Sequence, residues 1–175
     1  MKHNIVRINK IVLNNFKNVK KGIVEMPAYS GKELFSEKAD VLGLYGQNGS
    51  GKTSVVEALR FVKTLLSGEK LPADAKEYIA QGEEECEIDV SFSVAEEVQK
   101  ETVNYSVALK KDADGFVISH ERMTVVPRKE SIRAVESTLI DYQYDNEDVT
   151  FAPEYRYKKL VANDKKVRVA LNVAQ

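Results

Sequence analysis

The stretch that most constrains this chain runs Gly46-Gln47-Asn48-Gly49-Ser50-Gly51-Lys52-Thr53-Ser54. It matches G-x-x-x-x-G-K-[ST], the Walker A motif or P-loop, in which backbone N–H groups surround a phosphate. The apolar run at 40–45 is typical of a buried strand, and apolar residues at helical spacing predict a helix over 52–67. Strand, glycine-rich loop and helix in this order predict a nucleoside triphosphate site, whereas a glycine turn that merely precedes a helix is the plainer alternative.

The residue types in the loop suit this chemistry. Glycines at 46, 49 and 51 permit backbone angles that turn successive N–H groups inward around an anion. The helix beginning near Lys52 adds its positive N-terminal end. We expect Lys52 to reach the β- and γ-phosphates and the Thr53 hydroxyl to ligate Mg²⁺. The predicted nucleotide-binding residues of the motif are therefore Gly46, Gln47, Asn48, Gly49, Ser50, Gly51, Lys52, Thr53 and Ser54, with ATP and Mg²⁺ as cofactors.

Length, charge and composition limit the kinds of protein that this chain can be. A chain of 175 residues is one large domain or one and a half small ones. A net charge of −1 gives no overall basic field that would favour nucleic acid. Cys86 is the single cysteine, which excludes an intrachain disulfide and a cysteine zinc site. No apolar run has membrane-spanning length and the first residues lack a signal peptide, so we expect a reduced, cytoplasmic protein without a membrane partner.

The rest of the chain is mainly strand-like. Strands are predicted at 5–13 and 21–26, with a turn at 14–18 between them, a surface excursion at 29–38 and a short helix after Pro72. From Glu85 the alternating pattern predicts strands at 86–94, 102–109, 116–126, 137–144 and 149–151, with a hairpin connection at 111–115. The predicted fold is α+β, an α/β-type P-loop NTPase lobe with an antiparallel β-subdomain. We divide it into a P-loop core at 1–80, the β-subdomain at 81–153 and a basic, helical segment at 154–175.

Two stretches carry a family resemblance. Ile11-Val12-Leu13-Asn14-Asn15-Phe16-Lys17-Asn18, followed by the loop and by Ala58-Leu59-Arg60-Phe61, is similar to the N-terminal lobe of SMC/RecF-type ABC ATPase heads. Ile118-Ser119-His120-Glu121-Arg122-Met123 is similar to the OLD-like and abortive-infection group, which serves phage defence. The resemblance implies Mg-ATP and heads that self-associate around two ATP molecules. Whether the partner is nucleic acid or a nuclease or toxin stays open. The resemblance also implies that Lys17 and Asn18 lie near the nucleotide's phosphates or base, although Lys17 could equally be a solvated turn lysine.

The chain departs from the resembled heads in features that hydrolysis needs. This sequence has no counterpart to three features of those heads: the Ser-Gly-Gly signature loop, an apolar strand ending in Asp-Glu, and a switch histidine. We therefore expect an incomplete second lobe, no catalytic residue within this chain, and a longer natural protein in which hydrolysis requires the missing lobe and head dimerisation. The γ-phosphate-sensing glutamine stays open among Gln81, Gln143 and Gln175.

Other functions remain as alternatives. A small P-loop kinase or GTPase would need an arginine-bearing lid or an Asn-Lys-x-Asp motif, and neither is found. A nucleotide-regulated module could use its strands to bind a protein or DNA, and the basic stretch 156–168 could contact phosphates or form a solvated helix face. His120 and Glu121 are neighbours on a strand, so their side chains point to opposite faces and cannot easily form an acid/base pair.

Overall fold

The computed structural model describes residues 5–27, 41–96, 99–113, 115–128, 135–144 and 146–151. The described residues form seven strands, one α-helix and one 3₁₀ helix. The strands are β1 (Ile5–Phe16), β2 (Val19–Glu25), β3 (Glu85–Glu96), β4 (Gln99–Asp112), β5 (Gly115–Pro127), β6 (Ser137–Gln143) and β7 (Asn146–Phe151), the α-helix is α1 (Lys52–Leu66), and the 3₁₀ helix is Ala75–Tyr78.

All seven strands belong to one antiparallel sheet with the order β2-β1-β3-β4-β5-β6-β7. Strands β3 to β7 follow one another as hairpins, and the connection from β4 to β5 closes with Asp112 opposite Gly115, as the sequence predicts. The predicted strands outside 40–45 are confirmed, several with longer bounds, and β2 begins at Val19 rather than at residue 21. The short helix after Pro72 is confirmed as the 3₁₀ helix.

The core lies on the sheet face that α1 covers. Two cross-strand rows form it: Leu13 opposite Ile88 opposite Val107, and Ile11 opposite Val90 opposite Tyr105. The helix adds Ala58, Phe61 and Val62, all at most 2% exposed. Tyr78 stacks on Phe16 at 5.3 Å between ring centroids and meets the edge of Phe61 at 5.5 Å. This aromatic cluster fixes the 3₁₀ helix and α1 against the end of β1.

The strand predicted at 40–45 is wrong for its described part. Residues 41–47 have no regular structure, and Val41 and Tyr45 are 89% and 95% exposed. The apolar run predicts burial, but a strand also needs a neighbouring ladder to pair with. Among the described strands, none pairs with this segment.

Two further predictions concern the organisation of the chain. The excursion at 29–38 and the segment 154–175 lie outside the described residues. The sheet joins β1, from the predicted core at 1–80, to β3, from the predicted subdomain at 81–153. The division into these parts stays a prediction.

Candidate functional site

The P-loop leads directly into the N-terminus of α1. Gly49 and Gly51 have φ angles of +83° and +88°, a region that favours glycine, which accounts for both positions. Gly51 is the cap residue of α1, and a Cβ built there would lie 2.5 Å from Cγ2 of Val19 in β2. The loop therefore rests on the sheet at a point where only glycine fits.

The Lys52 ammonium lies across the loop. Its Nζ donates to the carbonyl oxygens of Gly46 and Gln47, each at 2.7 Å, and to Ser50 Oγ at 3.3 Å. The first turn of α1 carries no acidic residue, so the charge of Lys52 and the helix dipole act in the same direction. An ammonium group at the positive end of a helix is suited to bind a phosphate chain.

A cavity of about 620 Å³ adjoins this loop. Thr53 is exposed on one side of it, which places the predicted Mg²⁺ ligand at the surface of the cavity. The wall is formed by the turn between β1 and β2, by α1 and by the segment around the 3₁₀ helix, through Lys17, Asn18, Thr53, Ser54, Glu57, Glu77, Ile79 and Gln81. Of the three candidate glutamines, Gln81 lies in this wall, Gln143 lies at the end of β6, and Gln175 lies outside the described residues.

The two turn residues predicted near the nucleotide are both held by protein groups. Lys17 has φ +53°, its Nζ lies 2.7 Å from Glu57 Oε2, and the same atom lies 5.3 Å from the centroid of the Tyr78 ring. Asn18 donates from Nδ2 to the Gly49 carbonyl oxygen at 2.5 Å and accepts at Oδ1 from Ser54 Oγ at 2.6 Å. The structure thus places Lys17, Asn18 and Ser54 near the loop, and each of them forms an ion pair or hydrogen bond with another group of the protein.

A family model described as "AAA domain, putative AbiEii toxin, Type IV TA system" matches residues 41–170. The chain belongs to this family. Membership makes it an ATP-binding P-loop NTPase domain of the ABC-ATPase-like kind, here built mostly of antiparallel sheet with one described α-helix.

Relatives outside the family model are distant. No curated protein matches the chain. Among solved structures, the recombination mediator protein RecF with ATP, from the RecFOR pathway, is similar with a TM-score of 0.37 and 19% identity. The match covers 78% of this AAA-family chain and 28% of the RecF chain, so this chain spans under a third of that protein's length.

The pair His120 and Glu121 separates as the sequence predicts for neighbours on a strand. His120 Nε2 lies 3.6 Å from Asp141 Oδ1, whereas Glu121 accepts a hydrogen bond from the Tyr105 hydroxyl at 2.6 Å. Burial raises the pKa of Glu121, and the Tyr105 hydrogen bond and His120 lower it in part. The described residues include no group of three or more His, Cys, Asp or Glu that could hold a metal. Within the same ranges, no helix is long and apolar enough to cross a membrane.

Sequence reasoning missed three contributors to the site of this AAA-family domain. Glu57 lies one helical turn after Thr53, so helical spacing could have placed both on one face. The other two contributors are Val19, which lies beneath Gly51 on the sheet, and Tyr78, which belongs to the aromatic cluster and lies beside Lys17. Such contacts between distant residues leave no local signal in one sequence.

Proposed function

We propose that this domain is the nucleotide-binding lobe of an SMC/RecF/OLD-like ABC ATPase that binds Mg-ATP through residues 46–54. In this proposal Lys52 contacts the β- and γ-phosphates and Thr53 ligates Mg²⁺. The observation that carries it is the joint geometry of the loop: glycine φ angles of +83° and +88°, the Lys52 ammonium across the loop, and Thr53 exposed in the adjoining cavity. The family match over residues 41–170 supports the same reading.

Magnesium fits the chemistry of the site. Mg²⁺ keeps several waters and takes few protein oxygens, with the remaining ligands supplied by phosphates. A single exposed threonine hydroxyl beside the phosphate loop meets that requirement. Glu57 and Glu77 line the same cavity, and Glu57 is paired with Lys17 at 2.7 Å. Hydrolysis in this proposal needs a second lobe and a partner head, since an ABC-type active site forms between two heads.

The decisive test is a calorimetric titration of ATP with Mg²⁺ into the parent protein and into Lys52→Ala. Hydrogen bonds to charged groups contribute about 1.5–3 kcal/mol, so the variant should bind roughly 10- to 150-fold more weakly. Lys63→Ala is the matched control, because Lys63 is an exposed lysine in the last turn of the same helix. Equal affinity in Lys52→Ala and the parent would contradict the proposed site.

The family description and the sequence resemblance each support a proposal for the biological setting. A toxin role, which the family description supports, or a phage-defence role, which the resemblance of residues 118–123 supports, predicts growth inhibition on expression that Lys52→Ala relieves. A DNA-repair role, which the SMC/RecF-like motifs support, predicts that a protein carrying this lobe together with the second lobe turns over ATP in a manner stimulated by duplex DNA and sensitive to salt. In either setting we expect ATP with Mg²⁺ to increase self-association of the heads, which sedimentation with and without nucleotide would measure.

A further inference from the structure

We infer that Asn18 is a positioning residue of the P-loop, one that holds the loop in its phosphate-binding form and acts through the backbone rather than on the nucleotide. The inference rests on the proposed nucleotide site and revises the expectation that Asn18 contacts phosphates or base. Ser54 shares this role, since its hydroxyl orients the Asn18 amide.

The amide nitrogen and the amide oxygen of Asn18 both form hydrogen bonds, one to the loop and one to the helix that follows it. Nδ2 donates to the Gly49 carbonyl oxygen at 2.5 Å, and Oδ1 accepts from Ser54 Oγ at 2.6 Å. Ser54 is only 3% exposed, so its hydroxyl has little access to solvent, although Asn18 and Ser54 both line the cavity beside the loop. The first bond fixes the direction of one loop carbonyl, and the second fixes the rotation of the amide that makes it.

The fixed carbonyl determines where the next N–H group points. In a trans peptide the C=O and the N–H point in opposite directions. With its oxygen bonded to Asn18, the Gly49–Ser50 peptide directs the Ser50 N–H the opposite way, and this N–H donates to the Gln47 carbonyl oxygen at 3.2 Å. The Asn18 bond therefore sets the direction of one loop N–H, which in this inference exchanges the Gln47 carbonyl oxygen for a phosphate oxygen when the ligand binds.

The hydrogen bond from Asn18 to Gly49 differs from the hydrogen bonds of Lys52 in the loop because it does not compete with the ligand. Lys52 bonds to the Gly46 and Gln47 carbonyl oxygens through the same ammonium that the phosphates would attract. The Asn18 bond comes from outside the loop and can persist when a phosphate binds. The turn that carries Asn18 is itself anchored, because Lys17 N donates to the Tyr78 carbonyl oxygen at 2.7 Å and Lys17 Nζ pairs with Glu57.

The test combines two measurements on Asn18→Ala, Ser54→Ala and the double variant. Hydrogen exchange without nucleotide follows the N–H groups of Ser50 and Gly51, and calorimetry follows the binding of Mg-ATP and of inorganic tripolyphosphate, which has no base or ribose. Asn14→Ala is the matched control, since Asn14 lies in β1 just before the turn that carries Asn18 and donates instead to Glu87 Oε2 at 3.1 Å, on the neighbouring strand β3.

We expect Asn18→Ala to speed exchange of these N–H groups and to weaken both ligands by the same factor, roughly 3- to 10-fold for one lost hydrogen bond. Ser54→Ala should give a smaller change in the same direction, and the double variant should match Asn18→Ala. Asn18→Asp, which keeps the Ser54 partner but cannot donate to Gly49, should speed exchange as Asn18→Ala does and provides that test if the alanine variant fails to fold. Its carboxylate also repels the phosphates, so it should weaken both ligands at least as much as Asn18→Ala does.

Several outcomes would overturn the inference. Weaker binding of ATP with unchanged binding of tripolyphosphate would mean that Asn18 contacts the base or ribose. Weaker binding of both with unchanged exchange would mean a direct phosphate contact. If the parent binds neither ligand, the proposed function fails, and the exchange rates alone then decide whether Asn18 holds the loop.

Discussion

At the residue scale, Gly51 is held by two independent constraints. Its φ of +88° strains any residue with a side chain, and a Cβ there would lie 2.5 Å from Val19 Cγ2. We expect Gly51→Ala to lower the free energy of unfolding by about 2–4 kcal/mol, from backbone strain and overpacking together, and to weaken Mg-ATP binding. Urea denaturation and calorimetry would measure the two effects.

Gly49 offers the control for this prediction. Its φ of +83° is nearly the same, but a Cβ there would meet nothing within 4 Å. Gly49→Ala should therefore show the backbone cost alone, about 1–2 kcal/mol. If the two alanine variants lose equal stability, Val19 does not constrain the loop.

Cys86 gives a second prediction at this scale. It is 1% exposed on β3, and burial raises the pKa of its thiol from 9.0 to about 12. At pH 8 the thiolate, which is the reactive form, should be depleted about a thousandfold relative to an unperturbed thiol. We expect alkylation by iodoacetamide to be slow in the folded protein and rapid in urea. Rapid alkylation of the folded protein would show that β3 opens readily.

At the element scale, β4 and β5 share an ionisable pair in which the tyrosine is buried and the glutamate is partly buried. Glu121 lies opposite Val107 on the core face and accepts from the Tyr105 hydroxyl at 2.6 Å. Burial raises the pKa of Glu121 above its ordinary value of 4.5, so the folded state binds this proton more tightly than the unfolded state. The group therefore favours folding at low pH, and that contribution is lost as the pH rises through the folded pKa.

Glu121→Gln should consequently raise the free energy of unfolding at pH 7–8, because the amide keeps an acceptor for Tyr105 and removes the buried charge. The gain should shrink as the pH falls and should level off below 4.5, where the carboxyl becomes protonated in the unfolded state as well. Urea denaturation across this range measures it, with exposed Glu69→Gln as the control. A gain independent of pH would mean that the buried charge is not its source.

Elements are also the scale at which the sequence is most informative. Strict alternation, as in Cys86-Glu87-Ile88-Asp89-Val90, predicts a half-buried strand because the period of two is a local property. The helix is predicted for the same reason, and the Walker A motif adds the loop. The run at 40–45 misleads because burial and pairing are properties of neighbours, which one sequence does not reveal. The contacts of Asn18 and Tyr78 with this site are likewise set by the fold of distant segments.

At the scale of the whole molecule, the site is assembled from three separate parts of the chain. The β1–β2 turn supplies Lys17 and Asn18, the loop and α1 supply residues 46–57, and the segment at 77–81 closes the cavity. β1 pairs with β3 across the intervening loop and helix, and direct hydrogen bonds from Lys17 N to Tyr78 O and from Asn18 Nδ2 to Gly49 O join the three parts. A ligand that bridges the loop and this cavity therefore binds the folded state and has no equivalent site in the unfolded chain.

Ligand binding to the folded state alone stabilises it by RT ln(1 + [L]/Kd), about 2.7 kcal/mol at a ligand concentration of 100 Kd. For a chain of 175 residues this should raise the midpoint of thermal unfolding by about 5–10 °C. Mg-ATP should produce the shift in the parent and in Lys63→Ala, and at most about half of it in Lys52→Ala at the same concentration. An equal shift in all three proteins would place ATP outside the P-loop, since the loop lysine would then contribute nothing to the linkage between nucleotide and fold.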